Sequence, residues 1–129
     1  MIVDTSAVVA VLRCEPGWER LDHLLTSASS TSMSAASYVE LGVVVDRGGD
    51  PTLARRADTV LDMWRVEIAA VTPEQARIAR TAYRDYGKGS GHPAKLNYGD
   101  CFSYALASAT GEPLLFVGDD FTHTDLVAA

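Results

Sequence analysis

Short apolar runs bounded by polar residues alternate along this chain with longer stretches in which apolar residues recur every three or four positions. The first pattern marks buried strands and the second amphipathic helices. Residues 1–3 read as a strand ended by Asp4, Thr5 and Ser6, with Thr5 or Ser6 placed to cap a helix over residues 7–12. The break at Glu15, Pro16 and Gly17 precedes a second helix carrying Trp18, Leu21, Leu24 and Leu25 at helical spacing. A Ser- and Thr-rich stretch then leads into a short strand around residues 31–33. From Ser34 a helix runs to the Gly48-Gly49 break, although its Val43-Val44-Val45 run also suits a strand. Asp50-Pro51 restarts a helix with Leu53, Ala57, Val60, Leu61 and Trp64 along one side.

Residues 68–71 predict a further strand. Thr72 as cap, Pro73 at the first helical position and Gln75 three beyond the cap make the sharpest helix start in the chain. That helix continues through Ile78, Ala82 and Tyr83 toward Gly87, where Lys88, Gly89, Ser90, Gly91, His92 and Pro93 form a basic, Gly-rich, mobile loop. Asn97-Tyr98-Gly99-Asp100 opens a last helix, stopped by Gly111 and Pro113, and residues 114–117 form the final strand. Short strands separated by helices predict a three-layer α/β/α sandwich around a mainly parallel sheet. With no internal repeat or linker, residues 1–129 are expected to form a single domain.

Eleven Lys and Arg against seventeen Asp and Glu give a net charge of -6, so the average surface repels nucleic acid and any RNA or DNA role must rest on a local site. Cys14 and Cys101 form no C-x-x-C pair and are expected as thiols. The opening residues lack a basic leader, and no apolar run reaches the ~18 residues of a membrane span. The expectation is a soluble cytoplasmic protein.

In an open parallel sheet, sites form at the carboxyl ends of the strands. Asp4 follows the first strand, Asp119 and Asp120 follow the last, Glu40 sits among apolar helix neighbours, and Asp100 lies in the first turn of the final helix. Gathered at one rim, these acids would repel one another unless a hard divalent cation such as Mg²⁺ or Mn²⁺ sat between them. Such a cation suits phosphate hydrolysis. Each acid also has a plainer reading: Asp4 as a helix cap, Asp100 as a partner of the helix dipole, Asp119 and Asp120 as a turn, and Glu40 as a surface residue. His23, His92 and His123 fall outside any zinc-ligand spacing, and neither a nucleophile elbow nor a phosphate-binding glycine loop is present. Lys88, His92 and Lys95, with Tyr83, Tyr86 and Tyr98, offer phosphate contacts and a stacking ring beside Asp100; the plainer reading is a solvated loop.

The segments MIVDTSAVVAVL, SAASYVELGVVV, LNYGDCFSYALA and PLLFVGDDF, spread over the whole chain, resemble the PIN-domain toxins of the VapC type, the ribonuclease half of type II toxin–antitoxin pairs. The resemblance implies Asp4 and Asp100 as principal metal ligands, Glu40 as the helix-borne acid, and Thr5 or Ser6 as a supporting hydroxyl. The family's closing pattern T-x-D-x-D-F meets Phe116 and Gly118 here in place of its Thr and first Asp; Asp119 is assigned the fourth acid, with Asp120 second. Implied with it are Mg²⁺- or Mn²⁺-dependent endonucleolytic cleavage of structured RNA such as tRNA or ribosomal RNA, a 3′-hydroxyl and a 5′-phosphate as product ends, and a VapB-like antitoxin whose C-terminal segment blocks the acidic groove. A homodimer, or a heterotetramer or octamer with the antitoxin, is also implied, with the helices of residues 34–66 as the candidate dimer surface. The alternatives are a metal-dependent nuclease or phosphatase acting on DNA or small phosphoesters, and a non-enzymatic binding module.

Overall fold

The computed structural model describes residues 1–129. Four strands, β1 (Ile2–Val3), β2 (Thr31–Ser34), β3 (Val66–Ala69) and β4 (Leu114–Leu115), pair in the order β3-β2-β1-β4. Every pairing is parallel, with Ile2 opposite Ser32 on one side and Leu114 on the other, and Thr31 opposite Val66. Six helices connect and flank them: α1 (Thr5–Leu12), α2 (Trp18–Ser27), α3 (Ala35–Asp46), α4 (Pro51–Met63), α5 (Pro73–Tyr86) and α6 (Asp100–Thr110).

Successive strand residues face opposite sides of a sheet, and two residues per strand suffice here to show it. Val3 and Leu115 pack with α1, α2, α3 and α4, whereas Ile2 and Leu114 pack with α5 and α6. Each of these four side chains is at most 2% exposed, and full burial of such a group contributes about 1.5–3 kcal/mol. The sheet is therefore covered on both faces, and the expected three-layer α/β/α sandwich is the observed architecture. Parallel pairing also places the carboxyl ends of β1, β2 and β4 on one edge. The order reverses direction at β1, so the crevice between β1 and β4 at that edge is where a parallel sheet opens to ligands.

Several boundaries differ from the sequence expectation. Helix α1 begins at Thr5, because the cap is Asp4, as the plainer reading of that acid had it, and not Thr5 or Ser6: its carboxylate accepts the Ser6 N–H at 2.9 Å. The strand expected at residues 68–71 is Val66–Ala69, since its ladder with β2 starts directly after Arg65 turns the chain with φ 54°. Strand β4 stops at Leu115 rather than continuing to Val117. The Leu115 carbonyl still accepts from Asp4 N at 2.9 Å, but the Val117 N–H turns to Ser6 Oγ at 3.0 Å. The Val43-Val44-Val45 run is helical, as the main reading had it. The final helix starts at Asp100, not Asn97. The Gly-rich loop is closed at its base, with Lys88 N donating to Leu96 O at 2.8 Å and Leu96 N to Tyr86 O at 2.9 Å. On the open side of β4, Leu114 N donates to Val127 O at 2.9 Å, so the last residues cover an edge that would otherwise present unpaired amides.

Candidate functional site

Three acids from three elements meet at the carboxyl edge of the sheet. Asp4, only 3% exposed, leaves β1 and caps α1. Its Oδ2 accepts both Ser6 N at 2.9 Å and Ser6 Oγ at 2.6 Å. Ser6 Oγ in turn accepts the Val117 amide, which ties the segment after β4 to the start of α1 across the crevice. Glu40 is half-buried on α3, one turn beyond the fully buried Ser37. Thr5 Oγ1 lies 3.0 Å from Glu40 Oε2, toward which it donates, and 3.1 Å from the Ser37 carbonyl.

Asp100, 8% exposed, opens α6. Its Oδ2 accepts from Asn97 N at 2.7 Å while its own N–H donates to Asn97 Oδ1 at 3.0 Å, a reciprocal pair that fixes both the helix start and the carboxylate. Between the two segments sits Gly99. A Cβ there would fall 2.1 Å from Glu40 Oε1, so the Glu40 carboxylate occupies the space a side chain would need. The Ser37 and Ser103 hydroxyls, 3.1 Å apart and fully buried, join α3 to α6 just beneath.

The electrostatics show how closely these groups are coupled. Burial pushes the Asp100 carboxyl from an ordinary 3.8 up to about 7, with Asp4, Asp120 and Glu40 adding like-charge repulsion. Burial also raises Glu40, and Asp4 raises it further, while the Thr5 hydrogen bond acts in the opposite direction. No Lys or Arg offsets this charge: the ion pairs of the molecule join the N-terminus to Glu112 and Arg84 to Asp85.

The two acids that follow β4, Asp119 and Asp120, are placed differently with respect to Asp100. Asp119 is exposed and is not among the carboxylates acting on Asp100; its backbone carbonyl accepts from Thr122 N and Thr122 Oγ1. Asp120, also exposed, does act on Asp100. The turn between them and β4 is made by Gly118 at φ 106°, a backbone conformation that an Asp in the family's usual pattern would adopt only with strain. Of the ring and basic residues singled out from the sequence, Tyr86 is engaged, with His92 at 4.8 Å and Tyr104 at 5.7 Å between ring centroids. Tyr98 is open, at 78% exposure. Asn97 and Gly99 were not legible as site residues; the N-x-G-D spacing before a helix was the only signal they offered.

No trio of His, Cys, Asp or Glu side chains is drawn tightly enough together to form a metal cage on its own. The donor set nevertheless fits a hard divalent cation in one specific respect. Asp4, Glu40 and Asp100 each commit one carboxylate oxygen, Oδ2, Oε2 and Oδ2 respectively, to protein hydrogen bonds. The second oxygen of each takes no protein donor, and none of them is sealed from solvent. Three oriented, open, hard oxygen donors without a cationic side chain are suited to Mg²⁺ or Mn²⁺ and unsuited to softer metals.

The PIN-domain family profile matches residues 1–126. Ribonuclease VapC42 of Mycobacterium tuberculosis is 54% identical over 126 residues, covering 98% of this chain and 96% of that protein. Ribonuclease VapC28 of the same organism is 49% identical over 129 residues, covering 100% and 97%. Among solved structures, Mycobacterium tuberculosis VapC20, described as a sarcin-ricin loop cleaving toxin, superposes with a TM-score of 0.78 at 17% identity, covering 99% of this chain and 97% of that one. A toxin–antitoxin complex from Klebsiella pneumoniae superposes with a TM-score of 0.72 at 16% identity, covering 99% and 95%. No helix is long and apolar enough to cross a membrane.

Proposed function

The chain belongs to the PIN-domain family, with VapC ribonucleases as full-length relatives, and from that premise we propose that it is the toxin of a type II toxin–antitoxin pair, a divalent-cation-dependent endoribonuclease acting on structured RNA. The observation that carries the proposal is the set of three half-satisfied carboxylates, Asp4, Glu40 and Asp100, facing one crevice with no cationic side chain among them.

Asp4 and Asp100 would hold the cation, with Glu40 and Asp120 completing the site; Asp120 takes the place first assigned to Asp119 because it is the acid coupled to Asp100. Bound there, Mg²⁺ or Mn²⁺ would supply Lewis-acid stabilisation of the charge developing on a phosphodiester and make a water nucleophilic near neutral pH. The chain's own part is orientation and proton handling. Ser6 and Asn97 fix the two principal carboxylates by their Oδ2 atoms, so little reorganisation remains for the reaction itself. Thr5 holds Glu40 by Oε2 and leaves Oε1 over Gly99 as the atom able to orient a water or accept its proton. With water as nucleophile, no side chain forms a covalent bond to phosphorus, and cleavage leaves a 3′-hydroxyl and a 5′-phosphate.

The antitoxin partner and the dimer belong to the same proposal. A basic antitoxin segment would match the acidic crevice, and the exposed Val39 and Val43, one turn apart on α3, offer apolar contacts for a second copy. The test is incubation of purified protein with tRNA and ribosomal RNA, with and without Mg²⁺ or Mn²⁺. Cation-dependent cleavage to 5′-phosphate ends, lost in Asp100→Asn, is expected. Cleavage that survives chelation, yields 2′,3′-cyclic phosphate first, or persists in the variant contradicts the proposal, and cleavage of DNA or small phosphoesters alone favours a different hydrolase.

A further inference from the structure

A groove of about 320 Å³ runs between α5 and α6 on the far side of the first turn of α6 from the acids. Its floor is apolar, made by Ala79, Cys101 and Phe102, and its rims carry Tyr83, Tyr98 and Arg80. Tyr98 is 78% exposed, and it meets the Phe102 ring edge-on at 5.0 Å with planes at 80°, so a face of the tyrosine stays free. Aromatic rings left this open at the mouth of an apolar groove are platforms for flat, polarisable partners.

Charge narrows the choice of partner. In a chain of net charge -6, three arginines stand on one helix beside this groove: Arg77, Arg80 and Arg84 line the adjoining surface together with Tyr83. Arg84 is occupied by Asp85 at 2.8 Å, while Arg77 and Arg80 are exposed and form no ion pair. Two free guanidinium groups next to open rings favour a polyanion that also carries π-faces.

The groove adjoins the acids. Tyr98 lies two residues before Asp100, and Gly99 between them touches the Glu40 carboxylate. The groove and the acids therefore flank the same helix start, so a strand stacked on Tyr98 continues past Gly99 toward Asp100.

We infer that the α5–α6 groove is a subsite for unpaired RNA nucleotides next to the cleaved phosphate, with bases stacked on Tyr98 and Tyr83 and backbone phosphates held by Arg77 and Arg80. The inference rests on the ribonuclease reading for its link to cleavage, and it adds a preference: bases inside an A-form duplex are stacked on one another and closed to the rings, so the site selects loops and single strands.

The test is fluorescence anisotropy of a dye-labelled single-stranded oligoribonucleotide, alone or annealed to its complement, with the full chain in metal-free buffer so that binding is read apart from cleavage. The wild type is expected to bind the single strand about tenfold more tightly than the duplex. Tyr98→Ala is expected to weaken single-strand binding about tenfold, the scale of losing one stacked base. Arg77→Ala with Arg80→Ala should lower the slope of log affinity against log salt by about 0.7 per arginine. Arg20→Ala, an exposed arginine on α2 away from the groove, should leave affinity and preference as they are, and thermal melts verify that each variant is folded.

Equal affinity for single strand and duplex, or no change in Tyr98→Ala, overturns the inference. So does a shift in oligomeric state on size exclusion with unchanged RNA affinity, which would make the groove a protein interface. If the binding pattern holds but the wild type cleaves no RNA, the ribonuclease reading fails and the groove assignment does not.

Discussion

Asp100 is where the charge of the site concentrates. Its folded-state pKa of about 7, against an ordinary 3.8, means that the folded protein without cation holds a proton there across roughly pH 4–7 that the unfolded chain has released. The folded state binds more protons in that window, so stability falls as pH rises through it. Thermal melts of metal-free protein should show a lower melting temperature at pH 7 than at pH 5, and Asp100→Asn should flatten the difference. Glu40 is raised in the same direction. Thr5→Val removes the one hydrogen bond that favours its charged form, so Glu40 rises further and the acid limb of the pH–activity profile moves to higher pH. At the fourth position, Asp120→Asn should reduce cleavage about tenfold or more, the scale of disturbing a metal site's supporting groups, and Asp119→Asn should leave it within about twofold. Equal effects would remove the basis for preferring Asp120.

At the scale of elements, the start of α6 is the most demanding piece of local structure. Asn97 and Asp100 close on each other, and Gly99 leaves room for Glu40 from another helix. Gly99 already has helical dihedrals, φ -64° and ψ -44°, so alanine suits the backbone, and only the Glu40 carboxylate must move. Gly99→Ala should therefore change stability by less than ~1 kcal/mol while losing as much activity as Glu40→Gln, read from melting curves and RNA cleavage on the same preparations. The helices were legible in the sequence because caps such as Thr72-Pro73 and breaks such as Gly48-Gly49 are local signals. Strand ends were less so. Where β3 begins and β4 stops is decided by partners far away in sequence, Thr31 for Val66 and Ser6 for Val117. The different placement of Asp119 and Asp120 was hidden for the same reason, because it depends on how Gly118 turns the chain after β4.

For the molecule as a whole, parallel topology brings the carboxyl ends of β1, β2 and β4 to one edge, and the packing of α6 on β1, β2 and α3 sets its first residue there too, so acids at positions as distant as 4 and 100 share an electrostatic environment. Strand ends and helix starts in the sequence carried part of that: Asp4, Glu40, Asp100 and Asp119 were expected at one rim, and the fold brings the first three together while Asp119 is exposed and not among the acids acting on Asp100. Their mutual repulsion is the cost of the arrangement, and the two buried cores on either side of the sheet offset it. The apolar faces left outside those cores have their own consequence. Val39 is 65% exposed on α3, and if that surface joins two copies, Val39→Asp should convert a dimer to monomer on size exclusion with little change in melting temperature at low concentration. An unchanged elution volume would move the dimer surface elsewhere.

The most direct measurement is calorimetric titration of Mn²⁺ into the purified chain near pH 7.5, above the Asp100 pKa. Saturable binding by the wild type, weakened at least tenfold in both Asp4→Asn and Asp100→Asn, is the predicted result. A wild type that takes up no Mn²⁺, or variants that bind it as well as the wild type does, would contradict the view that these open carboxylate oxygens form a divalent-cation site.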